Sequence, residues 1–172
     1  MVKDTRMRFS KQAPGALISG CIFASPAFSA VTITFSHPES YSDPGLRGGF
    51  GIMSREVVLA ELRQHLAVLG SRYLPGNRSL EIEVIDLRWA GHVELRHILL
   101  REARIMHPST WPMIKLRYRL HENGATLATA GETLRDLDYL TRVRTCASAE
   151  LLRFEKAMLD DWFRERFAIA GR

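Results

Sequence analysis

Four sets of residues carry chemistry worth naming. Glu132, Asp136 and Asp138, with Asp86 further up the chain, are carboxylates near strand ends and turns; two of them held a few ångströms apart in a cleft could divide acid and base work on a glycan. The same positions suit Asp and Glu that satisfy local backbone donors, and Asp136 and Asp138 beside Tyr139 read equally as a turn network. His37, Ser42 and Asp43 lie close in sequence and contain the residue types of a hydrolase, but no GxSxG elbow accompanies them. Lys115, Arg117 and Arg119 alternate along one strand face and could grip an anionic polymer, unless Glu81 and Glu83 on a neighbouring strand neutralise them. Trp111, set before Pro112, could join Tyr41 and Phe50 in a sugar or peptide platform.

Other patterns carry less. The six histidines, His37, His65, His92, His97, His107 and His121, show no HxH, HExxH or comparable ligand spacing, so no metal site is predicted, and no cofactor is implied. Gly45, Gly48, Gly49 and Gly51 lack the GK[ST] of a phosphate loop. Trp162, Phe163 and Phe167 fall at core spacing on a helix.

The elements that would position these residues follow from periodicity. Val31–Phe35 alternates as a strand, and residues 37–51 form a loop rich in Pro, Gly, Ser and Asp, long enough to be functional or mobile. Ser54 caps a helix to about Leu69–Tyr73 with Val58, Leu62, Leu66 and Leu69 inward, ended by Pro75-Gly76. Leu80–Leu87 is a strand. From Trp89 to Trp111 the pattern selects neither element type; a short helix over His92–Leu100 and a strand over Arg101–His107 is one arrangement it admits. Pro112 opens the clearest strand, with Ile114, Leu116, Tyr118 and Leu120 inward, and Asn123-Gly124 turns it into a second strand to Leu134 with Gly131 as a bulge. A long helix spans Ser148 to about Phe167, with Glu150 in its first turn. The expected architecture is α+β: a two-layer sandwich with a mainly antiparallel sheet of four to five strands and two long helices on one face.

Compartment is read from the first thirty residues. Lys3, Arg6, Arg8 and Lys11 precede the apolar run Ala16–Ala24, and the small residues Ser25, Ala27, Ser29 and Ala30 surround Pro26. This is the pattern of a cleavable secretion signal, with a domain over residues 31–172. The run is roughly half of the ~20 residues that span a bilayer, so no transmembrane span is expected in the mature protein. A buried first helix is the plainer alternative, but prolines and glycines punctuate it. Ile18-Ser19-Gly20-Cys21 also resembles a lipobox, which would make Cys21 the site of an acyl anchor. Four of the 24 Lys and Arg and one of the 19 Asp and Glu lie in the signal; the remaining 20 against 18 give a net of +2, which excludes reading the high pI of 9.6 as a nucleic-acid signature. Only Cys146 then remains, so the fold stands without an internal disulfide.

Several stretches together resemble a bacterial family, domain of unknown function 3016. They are VTITFSHPESYSD, REVVLAELRQHLAVLGSRYLPGNRSLEIEVIDLRWAG, WPMIKLRYRL followed by DLDYL, and FEKAMLDDWFRERF. The resemblance implies an exported proteobacterial protein and carries no functional residues with it; the stretch VELRHILLREARIM is more basic than the family pattern. The reading reached is a non-catalytic periplasmic module that binds an envelope protein or polymer. The alternatives are an envelope hydrolase using Glu132, Asp136 or Asp138, and a lipoprotein anchored at Cys21.

Overall fold

The structure is a computed structural model that describes residues 30–47, 54–96, 101–141 and 150–168. The signal segment, Cys21, Gly48, Gly49, Phe50, Gly51, His97 and Cys146 lie outside the described residues.

Four strands form the main sheet: β1 (Ala30–Phe35), β2 (Arg78–Arg88), β5 (Met113–Glu122) and β6 (Ala125–Arg135), in the order β1-β2-β5-β6. The β1 and β2 strands pair in parallel and the other neighbours antiparallel, so the sheet is mixed and mainly antiparallel. A parallel pair needs a crossover, and α2 (Arg55–Tyr73) supplies it. Ser54 caps that helix by accepting from the Val57 amide, and Val58, Leu62, Leu66 and Leu69 are buried as the spacing predicts. The second long helix, α3 (Arg153–Phe167), lies beside α2. Together they cover the sheet face made by Ile33, Leu80, Ile82, Val84, Ile114, Leu116, Tyr118 and Leu120. Between Tyr118 and α3, Trp162 and Phe167 meet the tyrosine ring edge-on at 5.7 and 5.5 Å.

Gly70 is required where α2 crosses β1. A Cβ built there would stand 1.9 Å from Val31 Cγ2, so only a hydrogen fits. At the β5–β6 turn, Asn123 and Gly124 both take positive φ, 51° and 82°, the geometry of a two-residue hairpin.

Four expectations are corrected. Described residues 37–47 of the stretch expected to be a functional or mobile loop are packed and partly helical: a 3-10 turn (Pro38–Ser40) and a short helix α1 (Pro44–Arg47) accompany buried Tyr41, Asp43 and Leu46. After β2, β3 (His92–Arg96) pairs antiparallel with β4 (Arg101–Ile105) in a separate two-stranded sheet, so His92 begins a strand and not a helix, while the strand from Arg101 is present as expected. Gly131 pairs regularly with Arg117; the register shift falls between Leu120 and His121, leaving Leu127 as the extra residue. The last helix begins at Arg153, because Leu152 adopts a left-handed backbone at φ 55° and ends the preceding path. Glu155, and not Glu150, therefore occupies its first turn.

Candidate functional site

The end of β2 runs into Trp89-Ala90-Gly91, a stretch whose amide and carbonyl groups cannot all be met within the sheet. Three charged side chains meet them. Asp43 accepts from the Trp89 amide at 2.9 Å, Glu155 accepts from the Ala90 amide at 2.7 Å, and Arg104 donates to the carbonyls of Ala90 at 2.6 Å and Gly91 at 3.1 Å. The Gly91 amide donates to Thr110 O. Asp43 is placed by its own turn: its carbonyl accepts from Leu46 and Arg47 and its Oδ1 from the Gly45 amide. Tyr41 and Ser42 fasten that turn to β2, Tyr41 by donating to Val84 O and Ser42 by bonding Asp86 through both its amide and its hydroxyl.

Two arginine–tryptophan stacks stand side by side on this scaffold. The Arg104 guanidinium lies 4.6 Å above the Trp89 ring and the Arg88 guanidinium 5.0 Å above the Trp111 ring. Asp43 and Arg104 form an ion pair at 2.9 Å with 4 % and 14 % of their side chains exposed. Glu155 is buried nearby, and that burial pushes its carboxyl above its ordinary value of 4.5 despite the Ala90 amide and the charge of Arg104, which act the other way. Trp89 and Arg104 line two hollows. One of about 230 Å³ is lined by Asp43, Gly45, Arg88, Trp89, Arg104 and Thr110. The other, about 200 Å³, lies toward Met106, Leu152, Arg153 and Glu155. Beneath the corner, Tyr139 donates to His107 O and meets Phe154 edge-on at 4.8 Å.

Of the sequence-predicted residues, Asp43 and Trp111 belong to this corner and the others fall elsewhere. Arg117 and Arg119 face solvent across from Glu83 and Glu81, 3.4 and 3.5 Å away, and Lys115 sits opposite Asp86. Those strands are neighbours, so the arginines of the row have carboxylate partners. Trp111 does belong to the corner, half-buried under Arg88, but Tyr41 is only 1 % exposed and forms no platform with it. Glu132 accepts from Trp162 Nε1 at 3.0 Å and pairs with Arg166 at 3.0 Å. It shares a groove between β6 and α3 with Asp136, four residues on. Strand rise places their backbones about 13 Å apart. Asp138 is exposed and its carbonyl closes a turn by accepting from Thr141. His37 is exposed beside Glu39, while Ser42 bonds Asp86 and Asp43 binds Arg104, so the three do not converge. Among the described residues no three His, Cys, Asp or Glu side chains are grouped to hold a metal.

Arg104 and Glu155 escaped the sequence reading. Arg104 sits in the stretch whose element type the pattern left open. Glu155 had a visible signal, since it falls on the same helical stripe as Leu152 and Leu159, where an acid must have buried partners.

No curated protein matches the chain and no solved structure matches it. A family model does, over residues 29–165, and its description is "protein of unknown function (DUF3016)". With the match spanning from β1 through α3 nearly to its end, the chain belongs to the DUF3016 family.

Proposed function

We propose that the protein is an exported, non-catalytic module that binds an envelope protein or polymer through the corner around Trp89 and Arg104. The observation that carries this is the pair of arginine–tryptophan stacks together with the two hollows that Trp89 and Arg104 both line. Aromatic faces and guanidinium groups at a concave rim are the side chains that binding sites collect. The alternative surfaces have weaker support: the two arginines of the strand row pair with glutamates, and Glu132 is held by Trp162 and Arg166. Export is supported by the charged, apolar and small-residue order of residues 1–30 and by a family match that begins at residue 29. Among the described residues no helix is long and apolar enough to cross a membrane.

The test expresses the full chain in a bacterium with a photo-crosslinking side chain at Ser109, exposed on the rim of the larger hollow, or at Gln64, exposed on α2. Capture of a defined envelope species from Ser109 and not from Gln64, by a protein lacking its first thirty or so residues, is the expected result. Equal capture from both positions, or a cytosolic protein that keeps the segment, overturns the reading.

A further inference from the structure

We propose that the hollow between Asp43, Gly45, Arg88, Trp89, Arg104 and Thr110 binds one carboxylate group, carried on a single unit of a larger chain. This rests on the binding reading above and names the chemistry its larger hollow takes. Size is the first argument. At about 230 Å³ the hollow falls below the roughly 300–1,000 Å³ of sites that enclose a drug-sized ligand, so it suits one sugar ring or one amino-acid residue.

Charge is the second argument. His92 apart, the lining side chains Arg88 and Arg104 bring two positive charges and Asp43 one negative, leaving a single positive charge to be balanced by a monoanion. Asp43 does not compete for the ligand's partners, because its two oxygens already accept from Gly45, Trp89 and Arg104. A dianionic phosphate would face that carboxylate with one charge uncompensated, whereas a planar carboxylate matches a guanidinium fork.

Unmet donors are the third argument. Trp89 is 8 % exposed, lines the hollow, and its indole N–H finds no acceptor among the described residues; the same holds for Arg88 Nε. The Arg88 guanidinium is instead held over the Trp111 ring, 5.0 Å from its centroid. Buried donors without acceptors are rare in folded proteins and call for a partner. The neighbouring hydroxyl of Thr110 is already committed to His107 O, so the arginine and the indole are the groups a carboxylate would recruit.

The experiment titrates the purified protein with glucuronate, with N-acetylalanine, and with glucose as the neutral control, following tryptophan fluorescence and calorimetry at low and high salt. At least one carboxylate should bind, weakened by salt, with glucose binding about tenfold more weakly or not at all. Whichever acid binds identifies the source as glycan or peptide. Trp89→Phe keeps an aromatic ring beneath Arg104 while removing the indole N–H together with the rest of the five-membered ring, and Arg88→Gln removes the charge at a half-buried position. Each should weaken carboxylate binding by about tenfold while circular dichroism stays native. Binding of neither acid, or binding indifferent to both variants, overturns the proposal. Should Ser109 still capture an envelope species while neither acid binds, the carboxylate proposal alone fails and the binding module stands.

Discussion

The Arg104 guanidinium carbon lies 4.6 Å from the centre of the Trp89 ring while its Nη2 reaches Asp43 at 2.9 Å, so one side chain joins a tryptophan at the end of β2 to an aspartate forty-six residues earlier. The pair is nearly closed to solvent, where a charge without its partner is costly. Lysine could supply the charge but not the planar stack, nor donate to two carbonyls and a carboxylate at once. Arg104 thus binds the β3–β4 hairpin and the α1 turn to the main sheet, and it shapes both hollows as it does so.

Arg104→Met should lower unfolding stability by about 3–5 kcal/mol, because it strands the buried Asp43 carboxylate. Asp43→Asn in the same chain removes that stranded charge, so the double variant should recover part of the loss. Urea unfolding of the two single variants and the double gives the coupling. Additive losses would show that the two side chains act independently.

The architecture was legible because most of it obeys simple periods. The alternation of Ile114, Leu116, Tyr118 and Leu120 with Lys115, Arg117 and Arg119 locates β5 and both of its faces, and Asn123-Gly124 sets its turn. The corner was not legible, since it is assembled from Asp43, Trp89, Arg104 and Glu155, four positions that no local period relates. The Pro, Gly and Asp content of residues 37–47 signals turns, and here the turns are buried because Tyr41 and Leu46 anchor them to the sheet. Trp111 is legible as a candidate, but its neighbour is Arg88 on β2 and not the buried Tyr41, while Phe50 lies outside the described residues.

Gly70→Ala should destabilise the fold, although alanine favours a helix by about 1 kcal/mol over glycine. The added methyl would sit 1.9 Å from Val31 Cγ2, and Val31 is β-branched on a paired strand with little room to yield. Overpacking of this kind costs about 1–3 kcal/mol and outweighs the helix gain. Adding Val31→Ala clears the space, so thermal unfolding should show Gly70→Ala to be less damaging in the Val31→Ala background than in the native one. Equal damage in both backgrounds would remove the close approach as the reason for the glycine.

Arg117 and Glu83 should couple by about 0.2–1 kcal/mol in a double-alanine cycle, the usual range for a cross-strand pair facing solvent. The side chains are 57 % and 37 % exposed, so screening in 1 M salt should abolish most of the coupling. A coupling that persists at high salt would mean the row is less open to water than its exposure indicates.

Glu155 gives the protein a pH dependence of unusual sign. Burial holds its carboxyl above 4.5 in the folded state, so the native protein takes up its proton at a higher pH than the unfolded chain does. Stability from this group therefore rises as pH falls from neutral through the raised native value, and the gain is complete near 4.5, where the unfolded carboxyl also protonates. Glu150 works in the opposite direction and in a different window. Its hydrogen bond from Lys156 holds it below 4.5, so its contribution is present above 4.5 and disappears as pH falls below. The two are separable by Glu155→Gln, which keeps an oxygen for the Ala90 amide and carries no charge to bury. Urea unfolding at stepped pH should find the variant at its greatest advantage over the native protein near neutrality, with that advantage shrinking as pH approaches 4.5. An advantage that does not change between neutrality and 4.5 would mean that Glu155 ionises in the folded protein as it does in the unfolded chain, and that burial imposes no penalty on its charge.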